Sequence, residues 1–375
     1  MATIVIAAGG TGGHLFPAQA LADELSRREH RVVLMTDDRG HNYAQAFPRA
    51  EIVTVPSATF ADRGALGKGF AVLRLARGAL SAYATLGRIK PAVVVGFGGY
   101  PALPTMFAAA RRGLPSVIHE QNAILGRVNR WLSPAVMRIA CSFGKMQHLD
   151  QALTSRVAIT GNPVRPAVLA SVRAYVPTRP DGPFNLLVFG GSQGARVFST
   201  LVPDAVAKLP DALRQRLHIV QQCRAEDLDG AKARYEAIGL KGAVLAPFVT
   251  DMGQRLAEAH LVIARAGAST VTELAIVGRP SVLIPYPYAM DDHQTANAAE
   301  IAACGAGWML AEAGLTAEIL AAKINELANA PAMLSDAAAK AAGLGRPQAA
   351  AALADLVESV IGPSAGPTTR RKSVA

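Results

Sequence analysis

"IVIAAGGTGGHLFP", residues 4–17, begins as a short apolar strand, continues as a glycine-rich turn and ends as the start of a helix. "LLVFGGSQGARVF", residues 186–198, repeats this layout in the middle of the chain. Glycines permit the sharp bend after the strand, and free N–H groups at the helix start can bind a phosphate group. We therefore interpret each stretch as the opening of a Rossmann-like domain. The first loop is followed by His14, whereas Ala195 stands at the corresponding place in the second.

Apolar runs without polar alternation recur along most of the chain and are separated by helix-like stretches. Such runs are typical of parallel strands that helices cover on both faces. The first series is TIVIAA, RVVLM, EIVTV, AVVVG, PSVIHE and VMRIAC, and the second is NLLVFGG, HIVQQ, AVLAPF, LVIARAG and SVLIPY. Each series predicts a doubly wound α/β sheet, and 375 residues are enough for two such domains.

The two series are separated by "TGNPVRPAVL" at residues 160–169, which is followed by the proline-rich "VPTRPDGP". We expect a first domain at residues 1–163 and a second domain at residues 164–344. An alanine-rich helix at residues 345–362 is expected to rejoin the first domain. Residues 363–375 are expected to form a basic tail.

The cysteines Cys141, Cys223 and Cys304 lie far apart and match no metal-ligand spacing. We expect all three to be buried, reduced thiols of a cytosolic protein. Because the first predicted strand starts almost at Met1, we expect no signal peptide. Residues 91–110 are uncharged, but their three prolines and three glycines argue against one continuous membrane-spanning helix.

Basic residues are concentrated in one part of the chain. The net charge is +10, and residues 63–119 contain no Asp or Glu. Cations interleaved with apolar side chains are typical of a surface that binds an anionic membrane or a lipid phosphate. A solvated helix face is the alternative, and nucleic acid is a rival partner for which no motif is present. The cations of this stretch are Arg63, Lys68, Arg74, Arg77, Arg88, Lys90, Arg111 and Arg112.

Seven motifs follow one another along the chain in this order: GGTGGH, GGYP, HEQN, GNPVR, GGSQGA, ARAGAST followed by TE, and DDHQTANA. This set resembles the bacterial lipid-II-forming N-acetylglucosaminyltransferases, which are GT-B glycosyltransferases of peptidoglycan synthesis. The resemblance implies two Rossmann-like domains that face each other across a cleft. It also implies an inverting transfer of N-acetylglucosamine from UDP-N-acetylglucosamine to the carbon-four hydroxyl of the muramoyl sugar of lipid I. Such a displacement needs a base for the hydroxyl proton and stabilisation of the departing UDP.

The same resemblance assigns the acceptor and the membrane surface to the first domain and the sugar nucleotide to the second. It implies a peripheral enzyme on the cytoplasmic face of the bacterial inner membrane, with contacts to other cell-wall synthesis and division proteins and none to nucleic acid. We expect no cofactor. We also expect no metal site, because the adjacent carboxylates in "TDDRG" and "MDDHQ" lack the D-x-D spacing of metal-dependent transferases.

Two residues of the first domain are candidates for the catalytic base. His14 at the helix start can accept a proton when neutral or contact a diphosphate when protonated, and packing or capping is the structural alternative. Glu120 ends the strand "SVIHE" and could be the base, orient it or be an ordinary turn carboxylate. The sequence does not rank them. Further contacts to the substrates are expected from Thr11, Gly12, Gly13 and Asn122.

The second domain is expected to bind the donor. Ser192 in the second glycine loop is expected to contact the diphosphate, and Arg165 at the domain junction can add a fixed cation. Glu273 could accept the ribose hydroxyls, although "TVTE" at residues 270–273 is also a capping-box pattern. In DDHQTANA, Asp292 is a candidate helix cap, Gln294 the first choice for the donor sugar and Asn297 the second. The remaining expected donor contacts are the backbone of Val249 and the loop and helix start of Gly267, Ala268, Ser269, Thr270, Val271 and Thr272.

Other functions are compatible with parts of this pattern. Another GT-B enzyme, such as a UDP-N-acetylglucosamine epimerase or a diacylglycerol glycosyltransferase, is the first alternative, but GGTGGH together with HEQN argues against both. A nicotinamide oxidoreductase is disfavoured because neither loop reads G-x-G-x-x-G. A non-catalytic nucleotide-binding protein at the membrane would bind the same ligands without turnover.

Overall fold

Two parallel β-sheets organise the chain in the computed structural model, which describes residues 1–10, 12–38, 46–58, 65–179, 181–191, 194–240 and 242–361, with backbone alone for residues 65–68. The strands of the first sheet lie within residues 3–159 and those of the second within residues 184–309. All neighbouring strands within these two sheets pair in parallel. The predicted fold class, two doubly wound α/β domains, is therefore confirmed.

The first domain consists of strands β1 (Thr3–Ala7), β2 (Arg31–Thr36), β3 (Glu51–Thr54), β4 (Val93–Gly96), β5 (Ser116–Glu120), β6 (Arg138–Cys141) and β7 (Val157–Ile159). Its helices are α1 (Gly12–Arg27), α2 (Ala65–Ile89), α3 (Gly99–Arg111) and α4 (Arg127–Leu132). Strands β4 and β5 are buried along their whole length because helices cover both faces of the sheet. Residues 91–110, which resemble a membrane span by composition, divide into β4, a glycine turn and α3.

Helix α5 (Pro166–Leu169) connects the domains. The strands of the second domain are β8 (Phe184–Phe189), β9 (Leu217–Gln222), β10 (Ala243–Ala246), β11 (Leu261–Ala264), β12 (Ser281–Leu283) and β13 (Gly307–Met309). The later helices are α6 (Phe198–Ala207), α7 (Asp211–Gln215), α8 (Leu228–Ala237), α9 (Met252–Glu258), α10 (Ala268–Val277), α11 (His293–Ala303), α12 (Ala317–Ala328), α13 (Pro331–Leu344) and α14 (Ala349–Ser359). Among the described residues, no helix is both long and apolar enough to cross a membrane.

The last helix, α14, packs on the first domain although it comes after the second in sequence. Leu353, Ala354 and Val357 join the apolar core formed by β1 and α1. Arg28 at the end of α1 donates to Glu358 at 2.7 Å, and His30 Nε2 lies 2.8 Å from the same carboxylate. The chain thus crosses between the domains a second time after α13.

The first sheet has the strand order β3-β2-β1-β4-β5-β6-β7 and the second has the order β10-β9-β8-β11-β12-β13. Each sheet reverses its strand order at one point, between β1 and β4 in the first domain and between β8 and β11 in the second. Ligands of such sheets bind beyond the carboxyl ends of the strands at this switch point. The glycine loop after β1 and the turn before α3 converge there in the first domain. The glycine loop after β8 and the start of α10 do so in the second. Both quoted glycine stretches therefore lie at the expected ligand-binding edges.

One sequence expectation is wrong at this level, and two strands were missed. Cys141 and Cys223 are buried free thiols, and burial raises the pKa of Cys141 to about 12, but Cys304 is exposed because it ends α11 at the surface. Strands β7 and β13 were not predicted, since "VAI" and "GWM" are three-residue runs without a distinct apolar pattern. The basic tail at residues 363–375 lies outside the described residues, as does residue 362.

Candidate active site

Two cavities lie at the switch points, and they share part of their walls. The first-domain cavity, of about 660 Å³, is bordered by Gly10, Gly98 and Glu120. The second-domain cavity, of about 580 Å³, is bordered by Gly191, Gly194 and the start of α10. The side chains that line both cavities are His14, Asn122 and His293. The two spaces therefore meet at the glycine loop that carries His14.

His14 is the third residue of α1, which begins at Gly12. Its Nδ1 is 3.1 Å from Oε1 of Gln121. Its Nε2 lies against Gly99, since a Cβ built on that glycine would be 3.2 Å from the nitrogen. Gly99 also has φ of +70°, which L side chains rarely adopt. The structure therefore keeps the space beside Nε2 clear.

Glu120 ends β5 and is almost completely buried. Its Oε1 accepts hydrogen bonds from the backbone and side-chain nitrogens of Asn122, and its Oε2 accepts from Gly126 N and Asn129 Nδ2. Four donors at 2.9–3.1 Å occupy the lone pairs of this carboxylate. The arrangement holds the loop between β5 and α4 in one conformation.

Asn297 joins the two domains. Its Nδ2 donates to Asn122 Oδ1 at 3.1 Å and to Ala266 O at 2.9 Å, and its Oδ1 accepts from Ala123 N at 2.8 Å. An ion pair between Arg127 and Asp291 at 2.6 Å adds a second contact, and this hydrogen bond lowers the pKa of Asp291. Asn297 is fully buried in this bridge, so its side chain does not line the second-domain cavity.

Arg165 and Glu273 form a partly buried ion pair. Arg165 Nη2 donates to Glu273 Oε1 at 2.9 Å, and its guanidinium lies 4.7 Å from the centre of the Phe16 ring. Burial raises the pKa of Glu273, while Arg165 opposes that shift. The capping-box interpretation of "TVTE" is wrong, because α10 begins after Gly267 and Thr270 already lies inside its first turn.

The start of α10 and Gln294 form one wall of the second-domain cavity. Gly267, Ala268, Ser269 and Thr270 line it, and so does Gln294, whose Oε1 accepts from Ala266 N at 3.2 Å and Tyr286 N at 3.0 Å. Asp292 stands at the cap position of α11, but none of the described N–H groups of that helix bonds to its carboxylate. The carboxylate accepts instead from the hydroxyl of Thr295 at 2.7 Å, because Asp292 is in the left-handed backbone region.

Two family profiles match the sequence. The glycosyltransferase family 28 N-terminal domain matches residues 4–141, and the glycosyltransferase family 28 C-terminal domain matches residues 185–356. The UDP-N-acetylglucosamine–N-acetylmuramyl-(pentapeptide) pyrophosphoryl-undecaprenol N-acetylglucosamine transferase of Rhodospirillum centenum is 52% identical over 98% of this chain and 97% of its own. The chain belongs to glycosyltransferase family 28. The transferase of the same name from Paramagnetospirillum magneticum is 50% identical, with 96% of each chain covered.

A solved structure agrees with this family assignment. The crystal structure of Acinetobacter baumannii MurG is 30% identical to the present family 28 chain, covers 96% of it and 100% of its own length, and superposes with a TM-score of 0.78. The GT-B arrangement of two facing parallel-sheet domains is therefore shown.

Most of the predicted site residues of this family 28 enzyme lie around the two cavities. His14, Gly12, Gly13 and Asn122 line the second-domain cavity, and Glu120 lines the first-domain cavity. Val271 and Thr272 instead face a third cavity of about 370 Å³ behind α10, with Val271 also in the core. Val249 is buried, and Arg165 and Glu273 bind each other. Thr11 and Ser192 lie outside the described residues.

Several residues of the family 28 site were not singled out from the sequence. Asn129 lines the first-domain cavity and Gln121 lines the second-domain cavity. Oδ1 of the buried Asn129 has no hydrogen-bond partner among the described residues. Gln121 is part of the quoted HEQN motif, which was the available signal. The second-domain cavity is also lined by Arg196, Arg224, Arg265 and Glu312. Arg265 is within the ARAGAST motif and Arg196 within the quoted LLVFGGSQGARVF stretch, whereas nothing in the sequence distinguished Arg224 from other surface arginines.

Proposed function

We propose that the cleft between the two cavities is the active site in which this chain transfers N-acetylglucosamine from UDP-N-acetylglucosamine to lipid I, which yields lipid II. The chain is an N-acetylglucosaminyltransferase of peptidoglycan synthesis, as the names of its curated relatives state for them over nearly the full length. The observation that supports this location is that His14 lines both cavities. A group there can reach an acceptor hydroxyl on one side and a donor sugar on the other.

In the proposed arrangement the second-domain cavity holds UDP-N-acetylglucosamine. The glycine loop after β8 and the start of α10 present backbone N–H groups to the diphosphate, and Ser192 is proposed as a further contact. Arg196, Arg224 and Arg265 supply positive charge in the same cavity. These groups would stabilise the charge that develops on UDP as its bond to the sugar breaks.

The sugar and nucleoside ends of the donor are assigned to different residues. Gln294 lies beside the start of α10 and is proposed to contact N-acetylglucosamine. Glu273 is proposed to accept the ribose hydroxyls, and the hydrogen bond from Arg165 opposes the rise in the pKa of Glu273 that burial causes. The backbone of Val249 is proposed to contact the nucleobase side of the donor.

We assign the catalytic base to His14. The carbon-four hydroxyl oxygen of the acceptor bonds to carbon one of N-acetylglucosamine while the bond from that carbon to the UDP oxygen breaks. The hydroxyl proton goes to His14, and UDP leaves with the bonding electron pair. Glu120 is proposed to position the loop of Asn122 and the helix α4 that carries Asn129, because its carboxylate already accepts four hydrogen bonds.

The acceptor is proposed to occupy the first-domain cavity, with its diphosphate near the starts of α1 and α3. The outer face of α2 is proposed to hold this domain on the anionic cytoplasmic face of the inner membrane. Phe70, Leu73 and Leu80 are exposed there, and Arg77 lies between them. Arg74 instead pairs with Asp38 beside the cavity. Arg63 and the side chain of Lys68 lie outside the described residues.

Incubation with labelled UDP-N-acetylglucosamine and a lipid I analogue tests the proposed function. Mass spectrometry should find an acceptor heavier by one N-acetylglucosamine and an equal amount of UDP. Isomerised UDP-sugar without an acceptor would indicate an epimerase, and binding of both ligands without turnover would indicate a non-catalytic protein. Either result would contradict the proposal.

A further inference from the structure

A chain of hydrogen bonds runs from the domain junction to His14 through buried side chains. Nε2 of His119 is 3.0 Å from Gly161 O, and Nδ1 of His119 is 3.0 Å from Nε2 of Gln121. The same Gln121 nitrogen lies 3.1 Å from Phe97 O, and Oε1 of Gln121 is 3.1 Å from Nδ1 of His14. His119 is completely buried and Gln121 nearly so.

The two ends of this chain determine where each hydrogen lies. A backbone carbonyl can only accept, so Gly161 O requires the hydrogen of His119 on Nε2. Burial lowers the pKa of His119 from its ordinary 6.5 to about 4, so the neutral ring has its lone pair on Nδ1. That lone pair and Phe97 O both need the amide nitrogen of Gln121. The amide oxygen must then face His14.

We infer that His119 and Gln121 are positioning residues that fix the neutral His14 ring with its hydrogen on Nδ1, which leaves the Nε2 lone pair facing the cleft. In a neutral histidine, the hydrogen bond that one ring nitrogen makes determines which of the two nitrogens carries the hydrogen. Gln121 Oε1 can only accept, so it selects the Nδ1–H form of His14. Nε2 lies beside Gly99, which has no Cβ to cover it, and both residues line the first-domain cavity.

This inference rests on the proposed role of His14, but the position of the ring hydrogen can be measured without turnover. We expect the nitrogen spectrum of chain labelled with ¹⁵N-histidine, recorded at alkaline pH, to show His14 with a protonated Nδ1 and an unprotonated Nε2. The His14 signals are identified by their loss in His14→Ala. A wild-type His14 with its hydrogen on Nε2 would overturn the inference. Normal turnover of His14→Ala would instead refute the base role and leave this measurement valid.

Two substitutions of Gln121 distinguish control of the His14 ring from a purely structural cross-link. Gln121→Glu keeps an acceptor for His14 but loses the donors to Phe97 O and His119, whereas Gln121→Met loses both. We expect Gln121→Glu to retain Nδ1–H on His14. Gln121→Met should shift the ring toward the Nε2–H form and lower kcat at least about tenfold with little change in KM.

The control for a buried glutamine is Gln221→Glu in the second domain, where Gln221 donates to Phe198 O and accepts from Tyr235. It should leave the His14 signals unchanged. If Gln121→Glu and Gln121→Met alter the His14 ring in the same way, Gln121 serves as a structural cross-link and the inference is wrong. Should Gln121→Met fail to fold, the wild-type spectrum still decides.

Discussion

The two glycine loops begin alike but differ in how they end. In the second loop, Ala195 is buried, and a Cβ on Gly190 would lie 2.3 Å from its backbone nitrogen. Gly190 and Ala195 therefore pack directly against each other, and Ala195 lies in the core. In the first loop, a Cβ on Gly9 would meet Pro101 of α3 at 2.7 Å, and His14 turns toward the cleft. The same backbone layout thus packs a helix in one domain and presents an imidazole in the other.

The cavities beside the loops also differ in charge. The second-domain cavity is lined by three arginines and one carboxylate, Arg196, Arg224, Arg265 and Glu312. The first-domain cavity is lined by two arginines and four carboxylates, Arg74, Arg127, Asp37, Asp38, Glu120 and Asp291. A cationic site suits a leaving diphosphate, whereas the other site combines a base with polar groups suited to the sugar and peptide of the acceptor. The acceptor diphosphate, which does not leave, is proposed to lie at the starts of α1 and α3. Substitutions in each domain can test this division of roles.

The largest effect is expected for His14→Ala. Turnover should fall about 10²–10⁴-fold because the proton acceptor is lost, while UDP affinity stays nearly unchanged. His293→Ala is the matched control, since it removes an imidazole from the opposite wall of both cavities. Steady-state kinetics and calorimetry measure both. If His293→Ala loses more turnover than His14→Ala, the base lies on the donor side and the proposed difference between the two domains is wrong. If His14→Ala changes only the KM for the acceptor, His14 contacts phosphate and is not the base.

The buried imidazole of His119 in the first domain should also make the free energy of unfolding depend on pH. Burial lowers the pKa of His119 to about 4, so the folded chain binds fewer protons than the unfolded chain below pH 6.5. The neutral ring of His119 contributes fully to the free energy of unfolding above pH 6.5. This contribution, about 3 kcal/mol in all, is lost as the pH falls toward 4. Urea unfolding at pH 7, 6 and 5 measures this.

Substitution at His119 identifies the source of that acid dependence. His119→Gln should flatten the dependence more than His260→Gln, because His260 in the second domain is partly exposed although burial lowers its pKa as well. Wild-type stability that does not change between pH 7 and pH 5 would contradict the prediction, whether or not the variants fold.

Much of this arrangement could be predicted from sequence because it depends on local pattern. Apolar runs and glycine turns predicted both sheets, and the position of His14 after a glycine loop indicated its exposure to a ligand edge. The domain limits at residues 163 and 344 stay a prediction. Roles set by tertiary contacts could not be predicted. Nothing local shows that four donors surround Glu120, that Asn297 joins the domains or that Gln121 lies between two histidines.

A smaller effect is expected for Glu273→Gln in the donor domain. If Glu273 accepts the ribose hydroxyls, loss of its charge should weaken UDP binding about tenfold, since hydrogen bonds to charged groups contribute about 1.5–3 kcal/mol. Glu258→Gln is the control, because it makes the same charge change at the surface of the second domain. Calorimetry should show that Glu258→Gln binds UDP with the same affinity as wild type. Equal UDP affinities for wild type and Glu273→Gln would show that Glu273 does not bind the ribose.

The smallest effect is expected for Arg77→Ser on the outer face of α2. Each basic residue near an anionic membrane contributes about 1 kcal/mol, so binding to vesicles rich in acidic lipid should fall about fivefold at low salt. The difference should shrink as salt rises, because the interaction is screened. Lys232→Ser in the second domain makes the same charge change on an exposed helix and should bind vesicles like the parent. Sedimentation of both variants measures the partition. If Arg77→Ser and Lys232→Ser lose equal affinity, net charge and not the α2 face governs binding, and the two domains do not differ at the membrane.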